Sequence, residues 1–357
     1  MINFKNKLQG LSLIELLIAI TISALLLVGA VSLLVNNKRI YKTQNEMGRM
    51  QENTRFAVEK LFDDLRLAAY VGCSNDEFEV RNIVSGVVDN SLGDVGDLKT
   101  SGDTTQLTGS FIGIEGSESA ANWSPSGGTD LVANIVAGTD AFTVRSLQNT
   151  GATIQTPFMN SEADNIFVAL PLGNFIVGDV ITISDCQRSD IFKVSAITDS
   201  DQNTDGDAGT TDDDTRELAH ATSGGNVSSN LSKAFNSENT TINRLKTRRY
   251  FIGNGTKGNS LFFSALDGDS VELIEGVDDM QIMYGVDSSG DGTPNTYYNA
   301  GVANLDSANE WANVVSVRIT LTFRILDQGF YDVLNETIPT RSVTTTVQVR
   351  NRSLSRS

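Results

Sequence analysis

The apolar positions divide the chain into an unbroken run, a helical stripe and a series of alternating segments. Residues Leu11 to Val35 read LSLIELLIAITISALLLVGAVSLLV, and Glu15 is the one charge among them. At about 1.5 Å per residue a helix over this run is roughly 37 Å long, enough to cross a bilayer core of about 30 Å. Beyond it a stripe recurs every three or four positions: Met47, Met50, Thr54, Ala57 or Val58, Leu61, Leu65, and Ala68 or Ala69. Glu46, Arg49, Glu52, Arg55 and Glu59 fill the other faces. No Pro interrupts Leu11 to Val71. The pattern therefore predicts one long helix, apolar all round in its first half and amphipathic in its second, stopping at Gly72. The second half is expected to lie against a sheet.

After Cys73 the helical period disappears and short β-like runs follow, separated by Gly, Asn and Asp. The clearest is Val314 to Ile325, with Val315, Val317, Ile319, Leu321, Phe323 and Ile325 on one face and Ser316, Arg318, Thr320, Thr322 and Arg324 on the other. That alternation predicts a half-buried strand of an antiparallel sheet. Val343 to Arg350, Phe175 to Ser184, Ile191 to Ile197, Arg249 to Ile252, Leu261 to Ala265 and Asp279 to Tyr284 are further strand candidates. Between Ser85 and Thr156 the signals are weak, and either an irregular insertion or a second β subdomain fits. The chain thus reads as α+β: a long N-terminal helix, transmembrane then amphipathic, packed on a C-terminal antiparallel β-rich head.

Composition narrows the function classes. Lys and Arg total 27 against 44 Asp and Glu, a formal charge of -17, so a broad phosphate-neutralising surface is absent and no direct nucleic acid binding is expected. The cluster Arg244 to Arg249 (RLKTRR) is the local exception, and it is expected to meet an acidic neighbour or solvent. One His and two Cys exclude most His-based metal sites and Cys-rich scaffolds. No activated nucleophile can be assembled: Gly268-Asp269-Ser270 lacks a following His, and Gly253 to Gly258 (GNGTKG) has the spacing of a hairpin turn rather than a phosphate loop. An enzyme is not expected.

The start of the chain carries the sharpest chemistry. A secretory signal has an apolar core of about 7 to 15 residues and a cleavage site after it, which does not describe MINFKNKLQG followed by the run from Leu11. Lys5 and Lys7 precede that run and Lys38, Arg39 and Lys42 follow it, so flanking charge gives no orientation. An acid such as Glu15 costs on the order of 2.5 to 3.5 kcal/mol on insertion scales. No Lys or Arg lies between Leu11 and Val35, so an amine from another molecule is the natural partner. Opposite charges about 4 Å apart attract by about 4 kcal/mol at an effective dielectric near 20, which would offset that cost and favour one register.

With Lys5 and Lys7 in a short leader, Gly10 ending it, then Leu11-Ser12-Leu13-Ile14-Glu15 and an apolar helix, the sequence resembles the type IV prepilin family. The resemblance implies that a prepilin peptidase cuts after Gly10 on the cytoplasmic side and methylates Leu11, and that Glu15 pairs with the terminal amine of a neighbouring subunit. Leu11 departs from the usual Phe, and the family's common helix-kinking Pro is missing. Glu275-Gly276-Val277-Asp278-Asp279-Met280-Gln281, Tyr284-Gly285-Val286-Asp287, Trp311, Val314 to Arg318, Arg350-Asn351-Arg352 and Ala68 to Cys73 (AAYVGC) are similar to the PilW family of minor pilins. The implied division is a leader at 1–10, a helix at 11–72 with 11–35 in the membrane, and a head at 73–357 whose middle, about 85–240, is variable.

Three further expectations concern particular residues, the first of them depending on this resemblance. An exported head places Cys73 and Cys186 where disulfides persist, and a bridge closing about 110 residues contributes roughly 4 to 5 kcal/mol on the chain-entropy model. The alternative is two buried small hydrophobes. Asp201, Asn203, Asp205 and Asp207, with Asp212 at the twelfth position, have calcium-loop spacing, though a solvated acidic loop fits as well; no other cofactor is required. Asp287, Ser289 and Asp291 repeat the first half of that pattern, but Tyr298 stands where an acid is needed, which favours a hairpin turn. By resemblance the chain is a structural subunit that primes type IV pilus assembly, sits at the tip, and supports twitching motility, adhesion or DNA uptake. Its implied partners are other minor pilins, the major pilin, the prepilin peptidase and the inner-membrane assembly machinery. Its implied location is the inner membrane with a periplasmic head, then the pilus or cell surface. A minor pseudopilin of a type II secretion system and a calcium-dependent adhesin on a pilin stem remain the alternatives.

Overall fold

The computed structural model describes residues 12–70, 80–84, 113–119, 135–169, 175–185, 187–200, 215–237, 239–265, 270–301, 305, 308–326 and 339–353. Gly10 and Leu11, Cys73 and Cys186, and the acidic run from Asp201 to Asp212 lie outside these residues. A single helix, α1 (Leu13–Leu67), takes up the first part of the chain as its apolar pattern predicts. Its residues up to Glu52 fall in one compact unit, and those from Asn53 fall in the unit that holds the sheets.

From Leu13 to Val35 the apolar side chains face outward on every side: Leu13, Ile14, Leu25, Leu26, Leu27 and Leu34 are all exposed. The helix there is long and apolar enough to cross a membrane. In the second unit Ala57, Leu61, Leu65 and Ala68 are buried, the i, i+4, i+8, i+11 stripe of a helix seated on a core. The helix ends at Leu67, five residues before the expected Gly72. Ala69 takes a left-handed conformation (φ 61°), which an L-residue rarely adopts and which breaks the helical ladder. Its N–H donates instead to the Arg145 carbonyl at 3.0 Å, and the Asn351 amide donates to the Ala68 carbonyl at 3.0 Å. Gly113 is required beside this turn, because a Cβ there would lie 2.2 Å from the Ala69 nitrogen.

The strands in chain order are β1 (Val80–Asn82), β2 (Ile114–Ser117), β3 (Ala141–Thr153), β4 (Ile166–Ala169), β5 (Val180–Ser184), β6 (Ser189–Lys193), β7 (Ala196–Ser200), β8 (Thr215–Ala219), β9 (Thr241–Gly255), β10 (Gly258–Ala265), β11 (Ser270–Glu275), β12 (Val277–Val286), β13 (Thr296–Tyr298), β14 (Val314–Arg324) and β15 (Thr340–Gln348). Short helices α2 (Ala308–Trp311) and α3 (Arg350–Ser353) flank the last two. Three sheets result: an eight-stranded one ordered β1-β6-β5-β9-β10-β11 with β3 also on β9 and β2 on β3, a four-stranded one ordered β13-β12-β14-β15, and a three-stranded one ordered β4-β8-β7. All pairs are antiparallel except β1 with β6.

β9 is the spine of the large sheet. It pairs along one edge with β3 and along the other with β5 and then β10. The GNGTKG segment is the β9–β10 hairpin, with Gly255 opposite Gly258 and Thr256-Lys257 at its tip. Gly258 sits at φ 109°, and a Cβ there would collide with the Arg324 guanidinium. β14 buries Val317, Ile319, Leu321 and Phe323 as its alternation predicts. The weakly patterned stretch before Thr156 contains β3, a principal strand of the large sheet. The middle of the chain also builds its own core, in which Ile154, Val168, Ile181, Ile183, Phe192, Leu218 and Ile242 meet. Of the stretch from Ser85 to Thr156, the described residues 113–119 and 135–156 hold β2 and β3, both strands of the large sheet.

Candidate functional site

Two places in the structure carry chemistry that bears on function. The first is the start of α1. Ser12 precedes the helix, its backbone N–H donating to Glu15 Oε2 at 2.9 Å while the Glu15 N–H donates to Ser12 Oγ at 3.3 Å. This is a reciprocal cap, which satisfies N–H groups that a helix start otherwise leaves without partners. The signal was present as S-x-x-E ahead of an apolar run, and it gives Glu15 a donor within its own chain. Farther along, the Thr21 hydroxyl donates to the Ile18 carbonyl at 2.9 Å, so a polar side chain in the apolar run is satisfied by its own helix.

The second place is the end of α1, where Asp64 stands between Leu61 and Leu65 on the buried face, itself 5% exposed. Lys246 Nζ donates to Asp64 Oδ1 at 2.9 Å, Arg248 Nη1 donates to Oδ2 at 2.8 Å, and the Tyr250 hydroxyl donates to Oδ2 as well. These three side chains are alternate residues of β9, so the two-residue period of the strand delivers them to one carboxylate. Burial raises the Asp64 carboxyl, but the hydrogen bonds from Tyr250, Lys246 and Arg248 outweigh it and leave the group below the ordinary carboxylate range. Burial and the Asp64 charge push the Tyr250 phenol far above its usual value. The sequence did not single out Asp64; an acid on the buried stripe of an amphipathic helix was the available signal.

The same strand accounts for the basic cluster. Arg244 pairs with Asp179 at 2.8 Å and lies over the Phe175 ring, while Arg248 also lies over the Phe263 ring. Arg244 therefore meets Asp179, and Lys246 and Arg248 meet Asp64 of α1, while Arg249 on the opposite face is 2% exposed.

Asp287, Ser289 and Asp291 form a tight turn between β12 and β13. Asp287 accepts the N–H groups of Ser289 (3.0 Å), Gly290 (2.7 Å) and Gly292 (2.8 Å), and Asp291 accepts the Thr293 N–H and hydroxyl. Desolvation raises Asp287, yet those backbone bonds hold it below the ordinary range. The carboxylates serve the loop's own donors, the pattern of an Asx turn. Among the described residues, no group of three or more His, Cys, Asp or Glu is placed to hold a metal ion. His220 is buried, with Nε2 2.9 Å from the Asp164 carbonyl and its ring edge-on to Phe192.

Comparison with known families matches both ends of the chain. Residues 5–31 match the prokaryotic N-terminal methylation motif, and residues 249–351 match the family described as Type IV Pilus-assembly protein W. No curated protein matches. The first match covers Lys5 to Gly10, Glu15 and most of the exposed apolar run; the second covers the strands from the end of β9 to β15. A methylation motif at one end and a pilus-assembly signature at the other make this chain similar to type IV prepilins.

Proposed function

We propose that the chain is a minor pilin of a type IV pilus, a structural subunit that works with other minor pilins to prime filament assembly and sits at the filament tip. The observation that carries this reading is the joint occurrence of the two family signatures on a chain whose apolar helix is exposed on every side. Such a surface has two natural environments, a bilayer before assembly and the packed helices of neighbouring subunits after it. Glu15 is then the acid that selects register by meeting a neighbour's amine, and the membrane holds residues 11–35 while the head faces the periplasm. In that compartment Cys73 and Cys186 form a disulfide.

The partners of this reading are the major pilin and other minor pilins, with the peptidase and the inner-membrane machinery acting on the precursor. Motility, adhesion or DNA uptake follow from the filament rather than from a nucleic-acid surface on this subunit, whose described basic cluster meets Asp64 and Asp179. Deleting the chain is expected to abolish filaments and twitching while leaving protein secretion intact. Lost secretion with normal filaments would instead assign it to a type II secretion pseudopilus. Calcium binding by the purified full chain, with filaments unaffected by deletion, would make it a displayed adhesin.

A further inference from the structure

We infer that the outer edge of β15 is an interaction surface, which takes an extended acidic segment of another polypeptide as an added strand. β15 pairs with β14 from Arg324 opposite Thr340 to Ser316 opposite Gln348, and no bulge interrupts the register. Among the described residues no strand pairs with its other side, so β15 ends the four-stranded sheet as a nine-residue edge. The other edge strands, β1, β2, β4, β7, β11 and β13, are three to six residues long, and the pairing of β11 carries a bulge. An open edge is a template for another chain, and proteins blunt it with short strands, bulges, Lys or Pro. Thr340–Gln348 (TRSVTTTVQ) has none of these devices, and Arg341 is its one charge.

The ladder fixes which groups the edge offers. The Val349 N–H donates to the Val315 carbonyl at 2.8 Å, and antiparallel pairing alternates, so Val347, Thr345, Val343 and Arg341 also direct their backbone groups to β14. The N–H and C=O of Ser342, Thr344 and Thr346 therefore point away from the sheet, and all three residues are exposed. Hydroxyl bonds of 2.9 Å between Thr344 and Thr320 and between Ser342 and Thr322 order the strand before a partner arrives, which lowers the cost of adding one. Main-chain bonds of this kind give affinity and side chains give selectivity. Here charge selects: β14 and β15 carry Arg318, Arg324 and Arg341 and no acid, within a chain of formal charge -17. Arg324 pairs with Asp278 and Arg318 lies over the Tyr297 ring, while Arg341 is exposed at the start of the edge. A segment bearing Asp or Glu meets complementary charge there, and a basic one is repelled.

The test uses the full chain in detergent and synthetic peptides of alternating Thr and Val, matched to β15 in length, with Asp at two positions in one peptide and Lys there in the other. In the chain alone, amide hydrogen exchange is expected to be fast at Ser342, Thr344 and Thr346 and slow at Val343 and Thr345. The Asp peptide is expected to slow the first three and to bind about tenfold more tightly than the Lys peptide at low salt. Thr344→Pro removes an outward N–H and leaves the bonds to β14, a change tolerated on an open edge. It is expected to weaken binding about tenfold without moving the denaturant midpoint, whereas Thr344→Val binds as the wild type does. An Asp peptide N-methylated at the amides that would face β15 is expected to lose binding, a control that needs no change in the protein. Slow exchange at Ser342, Thr344 and Thr346 without peptide would show the edge already covered. A dimer formed without peptide and abolished by Thr344→Pro would give it to a second copy. Either result would overturn the inference, as would equal binding of the Asp and Lys peptides, full binding of the N-methylated one, or no binding of the Asp peptide at millimolar concentration.

Discussion

Asp64 and His220 show how two buried ionisable groups differ in what they do for stability. The Asp64 carboxylate takes charge-assisted bonds from Lys246 and Arg248 and a third from Tyr250, so removing its charge leaves two cations facing a gap. Asp64→Asn is expected to cost roughly 3 kcal/mol in denaturant unfolding of the detergent-solubilised chain, the scale for breaking a buried pair from one side. Because the folded carboxyl titrates below its ordinary value of 3.8, the contribution is fully present above that pH and is lost as pH falls through the lower folded value. Asp64→Asn should therefore flatten the acid limb of the stability curve below about pH 4, and an unchanged limb would remove Asp64 from the account. His220 behaves differently, since burial holds its folded value below 6.5 and the ring stays neutral. The unfolded chain takes up the proton first, so stability should decline as pH drops below 6.5, and His220→Gln should abolish that part of the slope.

The elements divide into those whose side chains dictate them and those that depend on partners. α1 and β14 could be read directly, because a three-to-four-residue stripe and a strict alternation each specify one buried face. The β9–β10 hairpin followed from its glycines. β3 was missed because its polar residues are buried too: Thr143, Arg145 and Ser146 are each under 5% exposed, so no alternation remains to be seen. The length of β9 was missed for the same reason, as Lys246 and Arg248 look like solvent-facing charges until Asp64 is placed beside them. The early helix stop at Leu67 depends on Arg145 and Asn351, which lie far along the chain and leave no local mark. Of the site, Glu15 was plain as an acid in an apolar run, whereas its cap by Ser12 and the role of Asp64 needed geometry. Two substitutions on α1 test the division of labour along it. Leu61→Ala, at a side chain 1% exposed, should lower head stability by about 2 to 4 kcal/mol. Leu25→Ala, at a side chain 74% exposed, should leave the denaturant midpoint of the head unchanged.

At the scale of the whole molecule the chain joins an apolar stretch, Leu13 to Val35, whose side chains are exposed, to a head in which Asp179 pairs with Arg244 and Asp185 with Lys233. The first requires a lipid or protein environment; the second is suited to the aqueous space beyond it. Under the proposed function Glu15 is the assembly acid, so Glu15→Gln should leave the head folded and the chain in the membrane while filament yield collapses. The proposed Cys73 to Cys186 bridge adds a check on export, since reduction of the mature chain should increase its mass by two hydrogens.

The most direct measurement of the central claim is the N-terminal residue and mass of the full chain extracted from membranes of cells with and without prepilin peptidase. The account predicts a methylated Leu11 when the peptidase is present and an intact leader ending at Gly10 when it is absent. Met1 retained in both strains would contradict it and leave an anchored β-rich protein whose function must be sought in the head.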